Sequence, residues 1–550
     1  MADQSAMVNR RPEWIRVLQR ASVVVALVIA CIPLPLVDRA GSQEEATEIV
    51  VTTNSDVSNG DTSSVSALKT NPGPDGISLR EAMEATNNDP GLHAIRFDPA
   101  LAGSSVVLGS DLPPLLGGGV TIDGDVDNDG DPDLTLGGKG AQIGFSISSS
   151  ANRLHGLELA GFMFGVVLQP PVNPIVTRTV FSDNTITGLV MRSIGKFGIG
   201  FDPTALGNCG VPCDSGNTWA NTTVAGNTIT AEAAGIFFWN SSSGERLEHV
   251  TVTDNQVTIT GNGEGSGISL ETAGPLGGEV SVEASISDAV ISGNTVAGSP
   301  DIGINVAAGT GRSQDGVVDG IRVIDNQVEL VKTGRYFCCQ GIVVQAGSDS
   351  AEFAEGPPVR YLDDNVVRDV VVRGNTVVGD LEWGMSIQAG LGGGGRRNRV
   401  SDVRVIDNVF RTTKPALGAI VWTGDGSPYR NRYSAENRVR RVVFRSNSFM
   451  TGRGPSWRTA GGGAGAGGVV LMGGHNYGRE NLIRSVRIVR SAIRTPYVGI
   501  RVIGGIGPTA KRNRVICIPR SANRIRGARK NIVIRSNVDG GFRNKARLSC

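Results

Sequence analysis

The residues with the most definite chemistry form an acidic loop in the first third of the chain. Its alternating carboxylates are Asp125, Asp127, Asp129, Asp131 and Asp133, with Gly130 among them. A hard cation takes six to eight oxygen ligands, and a glycine permits the sharp turn that brings such carboxylates together. The twelfth position is Leu136 where an EF-hand has glutamate, and no helical pattern flanks the loop. The loop therefore predicts a Ca²⁺ site of another type, and the alternative is an acidic turn between two strands.

A second acidic pair, Asp363 and Asp364, has residue types that suit catalysis on a sugar. Glycoside hydrolysis needs two carboxylates at a defined separation, whereas lyase chemistry needs a bound cation and a basic group near the sugar. We therefore treat Asp363 and Asp364 as catalytic candidates, with a solvated turn before a strand at 366 to 373 as the alternative.

The composition indicates a folded and repetitive chain. Of 550 residues, 76 are Gly, 39% are hydrophobic and 19% are charged. These values are too apolar and too weakly charged for disorder, and the glycines lack the period of three that collagen needs. The length suits several ordinary domains or one long repetitive domain, and the glycine content favours the second.

Charge is divided unequally along the chain. Residues 41–390 carry 16 Lys and Arg against 43 Asp and Glu, whereas residues 391–550 carry 32 against 6. The basic part could bind an anion such as an acidic polysaccharide, or the two parts could simply have solvated outer faces of opposite sign. Arg484, Arg487 and Arg490 alternate with apolar residues, so we expect rows of arginine on outer strand faces. Few aromatics lie among them, which argues against a nucleic-acid partner.

The first forty residues have the pattern of an export signal. Arginines between Arg10 and Arg20 precede an apolar run from Ala21 to Val37, which Pro33 and Pro35 interrupt before the length of a membrane span. We predict an export signal at 1–40 and an extracellular or cell-surface location. Cleavage after Ala40 and lipidation of Cys31 remain alternatives, and only the second would attach the chain to a membrane.

The cysteines fit an exported chain. Removal of Cys31 with the signal leaves six of the seven, an even number that is compatible with disulfides outside the cell. Cys209 and Cys213 could close a small loop, and Cys517 and Cys550 could hold the C-terminal end together. Cys338 and Cys339 are adjacent in the sequence. The four histidines are scattered, which argues against zinc.

From residue 180 onward one unit recurs about ten times. The unit begins with a strand in which apolar residues alternate, followed by a small or acidic residue and Asn. A second short strand follows, and then a third strand that begins with Gly, as in Gly267-Ile268-Ser269-Leu270. The asparagines are Asn184, Asn227, Asn255, Asn294, Asn326, Asn375, Asn408, Asn447 and Asn537, with Ser491 in a tenth place. Short period-2 strands in a repeated unit predict a coiled parallel β-structure in which each strand pairs with its counterpart one coil away. We expect the Asn to adopt the left-handed backbone conformation and to form a structural ladder.

This repeat resembles the right-handed parallel β-helix proteins of the pectate-lyase-like superfamily. The resemblance covers roughly residues 120 to 550 and implies an all-β, single-stranded right-handed parallel β-helix of about ten or more coils. It implies the handedness too, which the repeat period does not show. We therefore expect an export signal at 1–40, an N-terminal cap region at 41–119 and the parallel β-helix at 120–550.

The N-terminal end needs a cap, because an open coil exposes unpaired backbone and an apolar interior. Ser78 and Glu81 have the spacing of a capping box for a short helix ending near Asn88, in which Leu79, Ala82 and Met83 could cover the first coil. Ile77-Ser78-Leu79-Arg80-Glu81-Ala82 also resembles the Cys-Ser-Leu-Arg-Glu-Ala motif of a family of secreted bacterial β-helix surface proteins. Here Ile77 replaces the cysteine, and the motif implies no established chemistry.

The strand that Gly opens is the expected ligand face, because the resemblance implies a binding cleft there. Alternation places the second and fourth residues after Gly outward. This predicts an outward ladder of Phe237, Trp239, Ser269, Glu271, Asn305, Val343, Gln345, Ser386, Gln388, Ile420, Trp422, Val470, Met472 and Arg501. Aromatic rings stack on sugars and amides bond to hydroxyls, so we expect a glycan to contact Trp239, Glu271, Asn305, Gln345, Gln388 and Trp422. The alternative is an ordinary solvated β-face.

Three functions remain open from the sequence, and the last of them is a purely structural role in the cell envelope. The first is a non-catalytic surface protein that binds polysaccharide or an envelope glycan, or that mediates adhesion. The second is a polysaccharide lyase, epimerase or hydrolase acting on an acidic glycan. Asp363-Asp364 resembles the paired aspartates of polygalacturonase-like β-helices, and Gly474-His475 resembles part of their histidine motif, but the accompanying elements do not stand at matching places.

Overall fold

The structure, a computed structural model, describes most of the chain. The described residues are 45–171, 178–201, 216–261, 265–273, 281–311, 313–331, 339–348, 362–391, 395–426, 434–453, 466–507, 509–516, 523–538 and 543–547. The chain divides into a unit of residues 1–45 and a unit of residues 46–550. The predicted export signal, its processing sites and every cysteine except the buried Cys339 lie outside the described residues.

Three long parallel sheets make up the described part of the second unit. The first sheet contains Thr47–Val51, His93–Phe97, Val120–Asp123, Arg153–His155, Val180–Ser182, Thr185–Thr187, Thr218–Ala220, Thr223–Ala225, Arg246–Glu248, Thr251–Thr253, Ser285–Ser287, Val290–Ser292, Val317–Asp319, Arg322–Ile324, Val366–Arg373, Arg399–Ile406, Arg438–Arg445, Leu482–Val489, Arg514–Ile516 and Lys545–Ala546. The second sheet contains Ser105–Val107, Leu134–Gly137, Leu157–Ala160, Val190–Ile194, Thr228–Ala231, Gln256–Ile259, Thr295–Gly298, Gln327–Leu330, Thr376–Gly379, Val409–Thr412, Ser448–Met450, Ala492–Arg494 and Arg524–Arg526.

The third sheet contains Ile143–Ile147, Phe164–Leu168, Phe197–Phe201, Ala234–Asn240, Ser266–Ala273, Ile302–Thr310, Gln340–Ser348, Trp383–Leu391, Leu417–Thr423, Gly467–Met472, Val498–Ile503 and Lys530–Arg535. Two short strand pairs join Ser281–Val282 to Ser313–Gln314 and Asp425–Gly426 to His475–Asn476. The helices are Val65–Thr70, Leu79–Asn88 and the 3₁₀ turn Pro99–Leu101. No helix among the described residues is long and apolar enough to span a membrane.

The chain runs through the three sheets in turn, in several coils with two consecutive short strands in the first sheet, and each strand pairs in parallel with its counterpart one coil later. Gln256–Ile259, for example, pairs with Thr295–Gly298, and that strand pairs with Gln327–Leu330. This connectivity confirms the predicted all-β parallel β-helix with a short capping helix. The first sheet already begins at Thr47–Val51, inside the segment that the sequence assigns to the cap region.

Inward residues of all three sheets form one continuous apolar core. Ile268 and Leu270 point into it from the strand that Gly267 opens, as alternation predicts. A Cβ at Gly267 would lie 2.2 Å from Val296 Cγ1 and 2.7 Å from the Gly303 carbonyl oxygen. Glycine recurs at this place because the coils approach each other too closely for a side chain.

The predicted asparagine ladder is present and is structural. Side-chain amides of successive coils are joined by hydrogen bonds of 2.9 Å in the series Asn227, Asn255, Asn294, Asn326, Asn375, Asn408 and Asn447. The Asn447 N–H then bonds to Ser491 Oγ, as expected for the tenth place. The expected backbone conformation was wrong, because the left-handed residue is the one before each Asn, such as Asp325 with φ of 54°.

Two members of the predicted ladder belong elsewhere. Asn184 accepts a hydrogen bond from Asn152, and Asn537 accepts one from Asn544. A second ladder occupies another bend of the same coils, with side-chain hydrogen bonds joining Asn365, Asn398, Asn437, Asn481, Asn513 and Asn544. Both bends use an Asn after a left-handed residue, so spacing along the repeat did not separate them.

The capping helix Leu79–Asn88 was predicted correctly. Ser78 and Glu81 form the capping box, and Leu79, Ala82 and Met83 are buried at the start of the stack. The buried Glu81 carboxylate also accepts hydrogen bonds of 2.6 Å from the N–H groups of Asn59 and Gly60. Arg80 pairs with Asp56 at 2.9 Å. The motif residues therefore fix the cap, which is a structural role.

Candidate functional site

The outward residues of the third sheet, here called the outer face, lie in columns along the stack. The pairing register places Trp239, Glu271, Gln345, Gln388 and Trp422 in one column, with Ala307 between Glu271 and Gln345. A neighbouring column contains Phe237, Ser269, Asn305, Val343, Ser386, Ile420, Val470 and Arg501. The six residues predicted to contact a glycan therefore do lie on one face. At about 4.8 Å per coil, the five steps from Trp239 to Trp422 span roughly 24 Å.

A third column on this face was missed from the sequence. Phe164, Phe197 and Ala234 cluster with the outward Phe237, although each stands directly before the Gly of its strand. The strand pairing omits that Gly, which interrupts the in-and-out alternation of side chains. The residue before the Gly and the second residue after it therefore both point outward. Trp383, before Gly384, therefore joins the outer face, and a tryptophan before the repeated Gly is the signal that could have found it.

The middle of the outer face carries a network of amide and carboxyl groups. Asn305 Nδ2 donates to Ser269 Oγ at 3.1 Å and to Glu271 Oε2 at 3.3 Å. Gln345 Nε2 in turn donates to Asn305 Oδ1 at 3.1 Å, and Gln388 donates to Ser386 Oγ. Asn305, Gln345 and Gln388 are buried, which differs from the alternative of an ordinary solvated β-face at these places. Trp239, Glu271 and Trp422 are partly exposed.

Glu271 is the carboxyl group of this network. Burial raises its pKa to about 7, although hydrogen bonds from Thr310, Asn305 and Ser269 favour the ionised form. Loss of hydration disfavours the charged carboxylate more than these neutral donors stabilise it. A carboxyl group that titrates near neutral pH can accept or donate a proton under physiological conditions.

An aromatic cluster lies further along the outer face. The ring centroids of Trp383 and Trp422 are 6.1 Å apart, and those of Trp422 and His475 are 5.9 Å apart, both with nearly perpendicular planes. The backbone of His475 pairs with that of Asp425 in a short strand, three residues after Trp422. This pairing brings the His475 ring to Trp422, so His475 belongs to the aromatic cluster. Near the other end of the face, Phe237 and Trp239 make an edge contact at 5.6 Å.

The structure does not bring Asp363 and Asp364 to the outer face. They lie in the turn before Val366–Arg373, where Asp364 has φ of 60° and accepts a hydrogen bond of 2.9 Å from Arg397 Nε. The Arg396 N–H donates to Asp363 at 2.9 Å. This arrangement matches the alternative interpretation of the pair as a turn.

The acidic loop gathers three of its five aspartates. Asp125, Asp127 and Asp133 place carboxylate oxygens within 4.8 Å of one another, so these residues could hold a metal ion. The N–H of Asp129 favours ionised Asp127, yet burial and the carboxylates of Asp129, Asp133 and Asp125 outweigh it and raise the Asp127 pKa. Asp129 and Asp131 stand outside this group of three. Their carboxylate and N–H groups take part in short-range bonds of the turn.

One buried carboxyl group was not singled out from the sequence. Glu245 directly precedes the strand Arg246–Glu248 and is fully buried. The pairing register puts it beside Asn217 of the preceding coil, at the same position of the coil as Asn365 of the second ladder. Burial raises the pKa of Glu245 to about 8, and neither carboxyl oxygen has a hydrogen-bond partner within the described part of the chain. It lies ten residues before Asn255, the same spacing as Asn365 has from Asn375.

No family model and no curated protein matches this chain. Among solved structures it is similar to the A-module of the Azotobacter vinelandii mannuronan C-5 epimerase AlgE6, with 12% identity over 90% of this chain and 98% of that one and a TM-score of 0.28. It is also similar to a mutant tailspike protein of the E. coli bacteriophage HK620, with 11% identity over 84% and 73% of the two chains and a TM-score of 0.28. Likenesses this distant decide neither reaction nor ligand.

Proposed function

We propose that this protein is a non-catalytic β-helix that binds a polysaccharide or envelope glycan along its outer face. The observation that carries the proposal is the single column Trp239, Glu271, Gln345, Gln388 and Trp422, set in register over successive coils. Partly exposed tryptophans offer flat surfaces for sugar rings, and the amides and carboxyl between them offer partners for hydroxyl groups. A repeating polymer suits a repeating surface.

The two carboxyl groups of raised pKa near this sheet are not placed as a hydrolytic pair. Of the described residues, the one besides Glu271 is Asp301, whose pKa burial raises to about 6. Asp301 precedes Ile302, which pairs with Ser266, five residues before Glu271. That offset corresponds to more than 15 Å along the strands, beyond the roughly 5 to 10 Å that glycosidase carboxyls require.

The second candidate function is a polysaccharide lyase or epimerase with Glu271 as its proton-transfer group. The pKa of about 7 is the observation that favours it. An unsaturated uronic product, or a changed uronic acid composition after incubation with polyuronates, would establish this function. Loss of that activity in Glu271→Gln, with Asp363→Ala retaining it, would assign the residue.

We also propose that the acidic loop binds Ca²⁺. Asp125, Asp127 and Asp133 supply the oxygen ligands that a hard cation prefers, and their mutual repulsion is relieved by a bound cation. We further propose that the protein is exported to the cell surface or the medium. This proposal rests on the basic and apolar segments at 1–40.

A polysaccharide array probed with the purified protein, with and without Ca²⁺, tests the proposed function. We expect binding to at least one neutral or acidic polysaccharide without production of shorter or unsaturated fragments. Absence of binding to the whole array would contradict it, and fragment production would replace it with the second candidate.

A further inference from the structure

The first sheet concentrates arginines on its outward side in three successive strands. These strands, Arg399–Ile406, Arg438–Arg445 and Leu482–Val489, contain eight arginines and one aspartate. Their inward residues are valines, isoleucines and a phenylalanine of the apolar core, so the arginines point outward. We call the outward side of these three strands the arginine face. It lies on a different sheet from the outer face described above.

Ion pairs compensate the arginines that lead into this face. Each arginine of a short series pairs with an aspartate one coil earlier. The pairs are Arg368 with Asp319, Arg404 with Asp369 and Arg441 with Asp402. Asp369 and Asp402 stand at a left-handed position in the middle of their strands. In the next two coils the register gives that position to Arg441 and Ser485, so the supply of aspartates ends there.

Four arginines of the face lie close together without an acidic partner in the described part of the chain. They are Arg399, Arg438, Arg440 and Arg484. The pairing register places Arg399 beside Arg438, and it places Arg440 beside Arg484 one coil further on. Arg440 is half-buried, and burial, together with the charges of these neighbours and of Arg441, lowers its pKa. Like charges held together in this way are stabilised when anions bind between them.

The spacing of these charges indicates a linear anionic polymer. Arginines repeat at roughly 4.8 Å from coil to coil and at about 6.6 Å between alternate residues of one strand. One small anion neutralises only one or two of them, whereas a polymer with a charge on each unit neutralises many. A sugar unit in an extended chain has a length similar to the rise of one coil, so carboxylates on successive sugars can meet successive arginines. Guanidinium groups bind carboxylates through paired N–H donors.

The composition of the face argues against a nucleic acid. The aromatic residue of the three strands, Phe444, points into the core. Nucleobases therefore find no stacking surface on the outward side, although stacking supplies much of the affinity for single strands.

We infer that the arginine face binds an acidic polysaccharide whose sugars carry carboxylates, through Arg399, Arg438, Arg440 and Arg484. This inference does not rest on the proposed function, because the tryptophans of the outer face belong to the third sheet and take no part in it. With both faces occupied, one protein would link two polymer chains.

Fluorescence anisotropy of labelled polygalacturonate with the full chain tests the inference. The fully methyl-esterified polymer is the matched probe, since it has the same backbone without the charges. EDTA excludes bridging by Ca²⁺. At 20 mM NaCl we expect polygalacturonate to bind at least about tenfold more tightly than the ester, and this difference should shrink at 200 mM NaCl because salt screens exposed charges. Equal binding of the two polymers at low salt would overturn the inference. Tighter binding of single-stranded or duplex DNA than of polygalacturonate, at equal charge concentration, would also overturn it in favour of a nucleic acid.

Variants separate this face from general attraction to a basic protein. The double variant Arg440→Gln and Arg484→Gln should weaken binding of polygalacturonate at least about tenfold, without changing binding of the ester. The control, Arg246→Gln with Arg322→Gln, removes two exposed arginines from earlier coils of the same sheet and should change affinity less than about twofold. Arg440→Lys with Arg484→Lys keeps the charges in case the Gln variant fails to fold, and it should retain part of the affinity. Equal losses in the Gln double variant and the control would contradict a site on the arginine face.

Discussion

Asn326 and Asn375 are 49 residues apart in the chain, yet the amide nitrogen of Asn326 donates a 2.9 Å hydrogen bond to Oδ1 of Asn375. The same Asn375 donates to the carbonyl oxygens of Val323 and Arg373 and to Asn408. One side chain thus joins three successive coils. The loop between Asn326 and Asn375 can vary in length because the ladder and strands fix the register independently of it.

Replacement of Asn375 should therefore destabilise the stack. Asn375→Ala leaves buried donors and acceptors of two coils without partners, at about 1–3 kcal/mol for each group. We expect the free energy of unfolding to fall by about 3 kcal/mol in urea denaturation. Gln327→Ala, an exposed change one residue after Asn326, is the control and should change it by less than about 0.5 kcal/mol. Equal effects would contradict a ladder that determines stability.

Glu245 should make stability depend on pH. Its pKa in the folded protein is about 8, above the roughly 4.3 of an unfolded chain. The folded state therefore keeps a proton that the unfolded state releases, and the free energy of unfolding falls as pH rises from about 4 to 8. Its slope from this group is at most about 1.4 kcal/mol per pH unit. Glu245→Gln keeps the shape of the neutral acid and should remove that part of the slope.

Denaturation of both proteins at pH 5, 6.5 and 8 measures this difference. The variant should exceed the parent in stability most strongly at pH 8 and least at pH 5. Glu271 and Asp301 contribute a slope of the same sign, and both proteins retain them. Parallel pH profiles for the parent and the variant would show that Glu245 is not the group responsible.

The acidic loop should respond to Ca²⁺. We expect Ca²⁺ to raise the melting temperature with a dissociation constant of roughly 0.1–1 mM, the range of extracellular sites. Asp125→Asn should abolish the shift, whereas Asp131→Asn, exposed and outside the three converging carboxylates, should retain it. Because the Asp127 pKa is raised, affinity should fall as the solution is acidified. A melting temperature that is unaffected by several millimolar Ca²⁺ would refute the site.

Asp364 should affect stability through its backbone and not through catalysis. Its φ of 60° is tolerated by Asn and is unfavourable for Ala by about 1–2 kcal/mol. The ion pair with Arg397 is partly exposed and adds at most about 1 kcal/mol. Asp364→Ala should therefore destabilise the protein more than Asp364→Asn in thermal denaturation. Equal melting temperatures for the two variants would argue against this account of the turn.

Some of this structure could be predicted because local chemistry determines it. The capping box of Ser78 and Glu81, the Gly that opens each strand and the alternation that turns Glu271 outward depend on neighbouring residues alone. The confusion of Asn184 and Asn537 with the main ladder had another origin. Asparagine also occupies other places in the coil: Asn184 is in register with Asn152, and Asn537 accepts a hydrogen bond from Asn544 at the end of the second ladder. The two ladders themselves are distinguished by a constant ten-residue offset, as from Asn398 to Asn408.

The remaining features depend on packing between coils. Burial of Gln345 and Gln388 and the approach of Trp383 to Trp422 are properties of the assembled face. Asp125, Asp127 and Asp133 converge while Asp131 does not, because the path of the turn decides which carboxylates meet. Arg501 and Arg535 approach each other from adjacent coils, and a charge count along the sequence could not place them together.

The most direct test of the central claim is the affinity of tryptophan variants for the polysaccharide that ranks highest on the array. Trp239→Ala and Trp422→Ala should each weaken binding about tenfold to a hundredfold, while Trp422→Phe retains part of it. Val331→Ala, an exposed apolar change outside the outer face, should leave affinity unchanged. Unaltered affinity in both tryptophan variants, with circular dichroism confirming their fold, would contradict binding along this face.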